Sequence, residues 1–400
     1  MRTTALPPCH DLLIVGAGPV GLALALALRD SGLDIVLVDA RSPAAAAADP
    51  RDLALAHGSR LTLENLGLWS QLRSTAIEHI HISQQGGFGR TRIDAAEHGA
   101  AALGHVVAAG ELASKLRAAV DAAGIRVIDH TEVSALEPGN DAICARLRNA
   151  EGEQLLRARL AACAEGGLQQ ADAAAVCTRD YQQHALIAHL DVAGGHRHTA
   201  YERFTANGPL ALLPRGQGFT LVHVVHPDAV PGLRALDDAS YLAQLQQIIG
   251  GRVRLQAVSA RSSFPLQLRY RRQPVGARTV WLGNAAQTLH PVAGQGFNLA
   301  LRDVWALRET LLEGLRSQHH QQHGPAFDAG APALLQAYLR QRQCDRQFTI
   351  RFTDSLVRIF SNDNPLLHHA RGAALGALDL LPPVRNFIAR RMLFGARAWP

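Results

Sequence analysis

Cysteine, lysine and aromatic side chains are scarce in this sequence of 400 residues. The cysteines are Cys9, Cys144, Cys163, Cys177 and Cys344. Their number is odd and no C-x-x-C pair occurs, so the sequence predicts neither a disulfide framework nor a zinc site. Lys115 is the single lysine, aromatic residues make up 5%, and no basic cluster is interleaved with aromatic residues. We therefore expect no nucleic-acid surface, although the formal net charge is +6.

Long hydrophobic runs and several catalytic motifs are also missing. The apolar run at residues 20–28 is far shorter than the ~20 residues that span a bilayer, and residues 1–10 lack the apolar core of a secretory signal. No H-E-x-x-H set occurs, so we predict no metal site. Without G-x-S-x-G or Walker patterns, acyl and phosphoryl transfer have no support. We expect a cytoplasmic protein, with peripheral contact to the inner face of a membrane left open.

A glycine loop joins a strand to a helix near the start of the chain. Residues 12–15 are an apolar strand, residues 19–29 are helix-like, and residues 35–38 are a second strand that ends at Asp39. The loop contains G-x-G-x-x-G, formed by Gly16, Gly18 and Gly21. These glycines allow a tight turn, the approach of a diphosphate and close helix packing, while the acid accepts hydrogen bonds from a ribose. The pattern predicts a dinucleotide site; a βαβ unit that binds nothing is the alternative.

A second glycine loop follows a short strand at residues 279–282. It reads GNAAQTLHPVAGQGFN and leads into a periodic apolar run from about Gln295. Gly283, Gly294 and Gly296 let the backbone approach a flat or charged ligand, and the free N–H groups of a helix N-terminus suit an oxygen-rich one. An ordinary strand-to-helix junction is the alternative, but two such loops in one chain favour a shared cofactor.

The two motifs resemble those of class A FAD-dependent aromatic hydroxylases, and in particular the ubiquinone-biosynthesis hydroxylases. The stretch GNAAQTLHPVAGQGFNLALRD is most similar to the branch that acts on 2-octaprenyl-6-methoxyphenol. Asn284 and Gln287 replace the Asp and His of most of the superfamily and are features of that branch. Further similar segments are residues 51–59, 201–214, 261–266 and 352–363, so the resemblance covers nearly the whole chain.

The resemblance predicts an α/β fold, α+β overall, of the glutathione-reductase and para-hydroxybenzoate-hydroxylase type. A Rossmann-like FAD-binding domain would comprise residues 1–76, 103–180 and 271–331. An antiparallel substrate-binding sheet would comprise residues 77–102 and 181–270, where hydrophobic residues alternate with a period of two. Residues 332–400 would form C-terminal helices. Locally, we expect an exposed loop at residues 42–50 and a helix at residues 53–69.

The implied function is that of an FAD-dependent monooxygenase using NAD(P)H and O2. It would hydroxylate a polyprenylated phenol of the 2-polyprenyl-6-methoxyphenol type in ubiquinone biosynthesis, through a C4a-hydroperoxyflavin. Open alternatives are another ring position, a soluble aromatic substrate, a flavin oxidase or dehydrogenase, and a non-catalytic flavin-binding component. A ubiquinone-biosynthesis multienzyme complex is an expected partner. Residues 365–400 would form an amphipathic membrane segment or a helix pair packed on the FAD-binding domain.

The resemblance also assigns residue roles. His290 and Pro291 would lie beside the reactive edge of the flavin as catalytic residues, and the backbone N–H groups of residues 294–298 would stabilise charge on its pyrimidine end. The predicted cofactor-binding residues are Gly16, Gly18, Pro19, Gly21, Asp39, Arg41, Arg51, Glu165, Gly283, Asn284, Pro291, Gly294, Gln295, Gly296, Phe297, Asn298 and Asp303. Glu165 stands where the family has aspartate. The candidates for a base that activates the phenol are His290, His223 and Tyr201.

Overall fold

The computed structural model describes residues 8–87, 90–167, 174–319 and 327–360, together with Leu381 and Pro383. The strands in these segments are β1 Cys9–Val15, β2 Ile35–Val38, β3 Asp52–Ala56, β4 Ser74–Ile77, β5 His79–Gln84, β6 Arg90–Asp94, β7 Gly104–Ala108, β8 Arg126–Ile128, β9 Glu132–Pro138, β10 Ile143–Asn149, β11 Gly152–Cys163, β12 Val176–Ala193, β13 Thr199–Thr205, β14 Gly208–Arg215, β15 Gly218–Val225, β16 Arg254–Val258, β17 Ser262–Arg271, β18 Val275–Gly276, β19 Thr279–Trp281 and β20 Gln287–Thr288. The α-helices are α1 Pro19–Ala27, α2 Pro43–Ala47, α3 His57–Asn65, α4 Ala109–Ala122, α5 Ala229–Ala235, α6 Asp238–Ile249, α7 Gln295–His319 and α8 Pro332–Phe360.

The first sheet carries the dinucleotide motif. Its strand order is β18-β19-β11-β1-β2-β8, and β19, β11, β1, β2 and β8 run parallel. Leu12, Leu13 and Ile14 of β1 are fully buried, because helices α1 and α7 cover one face and strand β10 packs against the other. A strand covered on both faces reads as a continuous apolar run, which is why β1 was predictable from its sequence.

The second sheet is largely antiparallel and has the order β20-β17-β12-β15-β14-β13-β5-β6, with β16 on β12. Helix α6 covers one face through Tyr241, Leu245 and Ile249. Strand β5 pairs with β13 in parallel, so the hairpin of β5 and β6 extends the sheet formed by later strands. The α/β fold class and the antiparallel sheet in this part of the chain are confirmed.

A small sheet has the strand order β3-β7-β4. Asp52 of β3 forms an ion pair with Arg215 of β14 at 2.9 Å and accepts a hydrogen bond from Thr220 of β15. The Asp52 side chain is 1% exposed, so this contact fixes the small sheet against the antiparallel sheet.

Two local predictions were wrong. Residues 52–56 form strand β3 and only His57–Asn65 form a helix, because β3 pairs with β7, some fifty residues later, in a register that helical periodicity does not reveal. The expected loop at residues 42–50 contains helix α2, which is capped by Ser42 accepting a hydrogen bond from Ala45 N. The expected membrane-binding tail, residues 365–400, lies outside the described residues apart from two positions.

Candidate active site

Four loops leave the same edge of the parallel sheet. Val15 lies beside both Val38 and Cys163, and Cys163 lies beside Trp281, so β1, β2, β11 and β19 end in register. The predicted cofactor residues that follow these strand ends are Gly16, Asp39, Glu165 and Gly283. In open parallel sheets, ligands bind outside the carboxyl ends of the strands. The fold thus brings these four predicted residues to one edge.

The three glycines of the first loop differ in the space that surrounds them. Gly16 has φ +104°, and a Cβ there would lie 2.7 Å from the backbone of Ala164. A Cβ on Gly21 would lie 2.0 Å from the carbonyl oxygen of Gly16. Gly18, in contrast, has an ordinary φ of −77°, and its Cβ would meet only the Arg41 guanidinium, at 3.6 Å. No described protein atom requires glycine at position 18, and the predicted approach of a diphosphate to Gly18 stays a prediction.

Asp39 stabilises the first glycine loop through hydrogen bonds from backbone N–H groups. Its carboxylate accepts hydrogen bonds from Ala17 N at 2.7 Å and Arg41 N at 2.8 Å. The Arg41 guanidinium also bonds Asp39, which holds a positive charge beside Gly18. Arg51 is half exposed and pairs with Asp49 at 2.6 Å. The ribose and phosphate contacts expected of these residues remain predictions.

The second glycine loop packs on the helix that follows the first. Gly283 has φ +56°, and a Cβ there would lie 3.1 Å from Val20 of α1. Gly294, with φ +59°, approaches Ala54 of β3 equally closely. Gly296, in the first turn of α7, would place a Cβ in open space, with nothing within 4 Å. The second loop therefore packs closely on α1 and β3, while Gly296 leaves open space at the first turn of α7.

Asn298 locks the start of α7 onto β3. Its amide oxygen accepts hydrogen bonds from Ala56 N at 2.8 Å and Ser59 Oγ at 2.7 Å. Its amide nitrogen donates to Ala54 O at 2.9 Å and Gly294 O at 2.7 Å. The side chain is 1% exposed, so every polar atom of a buried amide is satisfied. The predicted cofactor residue Asn298 thus shapes the loop that carries Gly294.

Asp303 lies in a buried polar network. It accepts hydrogen bonds from Arg342 Nε and Gln287 Nε2, each at 2.8 Å. Gln287 in turn accepts from Arg346 Nε at 2.6 Å. An amide can donate to a carboxylate and accept from a guanidinium at once, which suits glutamine to this position. The predicted contact of Asp303 with the ribityl chain or diphosphate remains a prediction, while both its carboxylate oxygens already bind protein groups.

His290 is 1% exposed, and burial lowers its pKa to about 3. Its Nδ1 accepts a hydrogen bond from Val292 N at 3.1 Å, so the neutral ring carries its proton on Nε2. The Nε2 atom is buried without a hydrogen-bond partner among the described residues. In this arrangement His290 has an N–H group to donate, and its role as a catalytic residue or as one of the candidate bases stays a prediction. Pro291, next to it, is exposed and borders the cavity described below.

The residues at this edge fit FAD. Gly18 with Arg41 leaves a cationic space for a diphosphate, and Gly296 leaves room at a helix N-terminus for the ring. Of the other predicted residues, Pro19 begins α1 and Phe297 packs on the core. Asn284 is exposed and Glu165 is half-buried. When bound, the flavin supplies the redox and oxygen chemistry, and the protein orients and shields it.

An apolar cavity of about 270 Å³ lies between the second loop and the antiparallel sheet. The wall on the loop side contains Pro291, Val292, Gly294, Gln295 and Asn298. The sheet wall contains mainly aliphatic residues, among them Ile80, Ile82, Ile93, Ala211, Leu213 and Val222. Helix α8 closes one side with Phe352, Leu356 and Phe360. An apolar chamber with a few polar groups is typical of a small-molecule site.

Sequence reasoning missed the acid in this cavity. Glu202 lines it, and its Oε1 atom is buried without a partner in the described part of the chain. His223 was a wrong candidate, since Val222 and Val224 line the cavity while His223 bonds Tyr241 of α6 on the other face. Tyr201 borders the cavity, but its ring packs against Phe219. The sequence shows an acid in this strand, but only the pairing of β13 with β5 and β14 shows that Glu202 lies on the cavity side.

Comparison with known proteins agrees with this geometry. The FAD binding domain family matches residues 10–340. The chain is 32% identical over 393 residues to the ubiquinone hydroxylase UbiL of Rhodospirillum rubrum, covering 96% of this chain and 89% of that protein. It is 28% identical over 384 residues to the 3-demethoxyubiquinol 3-hydroxylase of Escherichia coli, covering 92% of this chain and 94% of that protein.

Solved structures share the fold. The p-nitrophenol 4-monooxygenase PnpA of Pseudomonas putida matches with a TM-score of 0.76 at 16% identity, covering 97% of this chain and 99% of that one. PqsL of Pseudomonas aeruginosa, described as a probable FAD-dependent monooxygenase, matches with a TM-score of 0.71 at 19% identity, covering 92% of this chain and 100% of that one. With the family match and the relative above 30% identity, the chain belongs to the FAD-binding-domain family of FAD-dependent monooxygenases that includes the ubiquinone-biosynthesis hydroxylases.

Proposed function

We propose that this protein hydroxylates the aromatic ring of a polyprenylated phenol, of the 2-polyprenyl-6-methoxyphenol type, in ubiquinone biosynthesis. NAD(P)H is the reductant and O2 the oxidant. The observation that carries the proposal is the apolar cavity of about 270 Å³ against the second glycine loop. Aliphatic walls favour a ring with hydrocarbon substituents over a charged aromatic acid, whose carboxylate would lose its hydration without a partner.

The prenyl tail leaves the cavity along α8 in this proposal. A volume of about 270 Å³ is near the lower end of small-molecule sites, roughly 300 Å³, and suits a head group better than a long isoprenoid chain. Phe352, Leu356 and Phe360 of α8 give an apolar border at one side. A tail that passes this border would leave the cavity beside the last two turns of α8.

The test uses the purified holoenzyme with NADPH or NADH and O2. Candidate substrates are 2-geranyl-6-methoxyphenol and the soluble acid 4-hydroxybenzoate, and mass spectrometry detects added oxygen while NMR locates it on the ring. We expect hydroxylation of the prenylated phenol alone. Hydroxylation of the acid alone would favour the soluble-aromatic alternative, and bound FAD without either product would favour the non-catalytic component.

We also propose peripheral contact with a membrane through the C-terminal region. None of the described helices is both long and apolar enough to cross a bilayer. Residues 380–400 combine arginines with apolar residues, a composition that suits an anionic lipid surface. Deleting them should reduce binding to phosphatidylglycerol-containing liposomes without loss of bound flavin. Unchanged liposome binding would instead favour packing of residues 380–400 on the protein.

A further inference from the structure

Glu202 lies at the centre of a row of side chains that face the cavity. The register places Ile82 on one side of Glu202 and Ala211 on the other, with Thr91 beyond Ile82 and Val222 beyond Ala211. All five residues line the cavity. The register of adjacent strands β6, β5, β13, β14 and β15 therefore projects this carboxyl into an otherwise aliphatic surface.

One oxygen of the Glu202 carboxyl has no partner within the described segments. Oε1 of Glu202 is buried and has no hydrogen-bond partner among the described residues. A buried acceptor left unsatisfied costs about 1–3 kcal/mol, so such a group is expected to have a partner in the working protein. The facing wall contains Pro291 and Gln295 of the second glycine loop. A molecule held between this loop and the sheet would reach the free oxygen.

We propose that Glu202 is the base of the hydroxylation, accepting the proton of the substrate's phenol hydroxyl. This inference rests on the proposed function, since it requires a phenol in the cavity. The substrate hydroxyl would donate to the free carboxylate oxygen, and the ring would lie between Glu202 and the second glycine loop. The acid would therefore also orient the ring and select which carbon faces the flavin.

The environment suits a base that works near neutral pH. Burial raises the pKa of Glu202 to about 7, and the efficiency of a general base is greatest when its pKa lies near the operating pH. Tyr201 is the other titratable residue in the described cavity lining. Arg203 and His81 alternate to the opposite face, where Arg203 bonds Ser83 and His81 contacts the Tyr201 ring.

The other walls of the cavity have no charged side chain among the described lining residues. The α8 residues that line the cavity, Phe352, Leu356 and Phe360, are apolar. Gln295 and Asn298 on the loop side are neutral amides. The ionisation of Glu202 thus depends mainly on desolvation and on the molecule bound beside it.

The step balances as follows. The phenol O–H bond breaks, its electron pair stays on the phenol oxygen, and its proton passes to Glu202. The electron-rich ring carbon forms a C–O bond to one atom of O2, and this oxygen takes up a proton to become the new hydroxyl. The other atom leaves as water, with the two electrons and the proton of the hydride from NAD(P)H and a second proton from solvent. The hydrogen on that carbon is lost as a proton, which restores aromaticity. Glu202 returns its proton to the product oxygen.

The test compares the Glu202→Gln and Glu202→Asp holoenzymes with the wild type. Glu153→Gln is the matched control, because Glu153 is a strand residue with a 56% exposed side chain in the other large sheet. The probe is 2-geranyl-6-methoxyphenol, with its O-methyl ether as an analogue that has no proton to give. Measurements are product formation from pH 5.5 to 9 and probe binding by perturbation of the flavin spectrum.

We expect the wild-type kcat to rise with pH to a plateau above about 7. Glu202→Gln should keep its FAD, lose roughly 10²–10⁴-fold in kcat, as for removal of a general base, and lose this pH dependence. Glu202→Asp should recover part of the rate. A Glu202→Gln enzyme within about threefold of wild type, with the same pH profile, would overturn the proposal.

Binding separates this inference from the proposed function. A wild type that binds the phenol without forming product would refute the function alone. The inference is then supported if the wild type prefers the phenol to its ether above pH 7 and Glu202→Gln does not, and overturned if the preferences are equal. A wild type that binds neither probe would overturn both proposals.

Discussion

The carboxylate of Asp303 in α7 accepts a hydrogen bond from the Arg342 guanidinium in α8 at 2.8 Å. Arg342 also bonds Asp345, which pairs with Arg302. Although burial lowers the pKa of Arg342, the two aspartates raise it by more, so the guanidinium stays charged. This network fixes the C-terminal helix against the helix whose N-terminus faces the predicted flavin site. It holds α8, which closes one side of the cavity, against α7.

Replacing Arg342 by methionine should destabilise the protein strongly. The change leaves Asp303 without its guanidinium in a site where Arg342 is 6% exposed, and breaking a buried ion pair costs about 3–5 kcal/mol. The free energy of unfolding from urea titration measures the effect. The control is Arg148→Met, which removes an exposed pair with Glu132 worth about 0–1 kcal/mol. Equal losses in the two variants would contradict the role assigned to the network.

Gly18→Val should fold and fail to retain FAD. The backbone at Gly18 has φ −77°, which valine can adopt, and a Cβ there meets only Arg41, at 3.6 Å. The added methyl groups would fill the space left for the diphosphate. Circular dichroism of the purified protein measures whether the variant folds, and its flavin absorbance measures how much FAD it retains.

The matched control is Gly251→Val, at an exposed turn glycine whose Cβ would have no neighbour within 4 Å. It should keep wild-type flavin content. Gly21→Ala should instead lose stability, since its Cβ would lie 2.0 Å from the Gly16 carbonyl oxygen. Full flavin occupancy in Gly18→Val would contradict the assignment of the first glycine loop to the FAD site.

The sequence predicted the parts of the fold that depend on local pattern. Strand β1, helix α1 and strand β2 follow from apolar runs punctuated by Gly16 and Gly18. The alternation through β12 to β15 predicted the antiparallel sheet. Both signals are local because a buried parallel strand and a half-buried antiparallel strand each have their own hydrophobic period.

Long-range pairing was not predictable in this way. Strand β3 has a helix-like apolar pattern and owes its conformation to β7, and the parallel pairing of β5 with β13 joins segments separated by more than a hundred residues. The same limit hid the acid of the cavity. Only the register shows that Glu202 faces inward while His223 faces α6, because a one-residue difference in register exchanges the two faces of a strand.

The stability of the protein should fall as the pH decreases below about 6.5, in part because of His223. Burial lowers the pKa of this histidine to about 4 from the usual 6.5. Between these values the unfolded chain binds a proton that the folded protein does not, so the free energy of unfolding rises with pH. The contribution present above pH 6.5 and lost towards pH 4 is up to ~3 kcal/mol.

His223→Gln should reduce this slope while keeping a polar partner for Tyr241. The measurement is the free energy of unfolding from urea titrations at pH 4.5, 5.5, 6.5 and 7.5. His226→Gln is the control, because the His226 side chain is 55% exposed and its removal should leave the slope unchanged. If the free energy of unfolding depended on pH equally in wild type and His223→Gln, His223 would bind its proton equally well in the folded and unfolded states, and the prediction would be wrong.

Asn298→Asp should loosen the second glycine loop and weaken FAD binding. The amide donates to the carbonyl oxygens of Ala54 and Gly294, whereas a carboxylate of the same shape would face both of them with oxygen. Leaving these buried acceptors without a donor costs about 1–3 kcal/mol each, and burial of the new charge adds to it. We expect a lower free energy of unfolding and a rise of at least about tenfold in the FAD dissociation constant, measured by titrating apoprotein and following flavin fluorescence. Asn149→Asp makes the same chemical change at the partly exposed last residue of β10, where the side-chain oxygen accepts a hydrogen bond from Glu151 N, and it should alter neither quantity. Wild-type FAD affinity in Asn298→Asp would mean that the loop keeps its shape without this amide, and that the start of α7 is positioned by its packing against β3 alone.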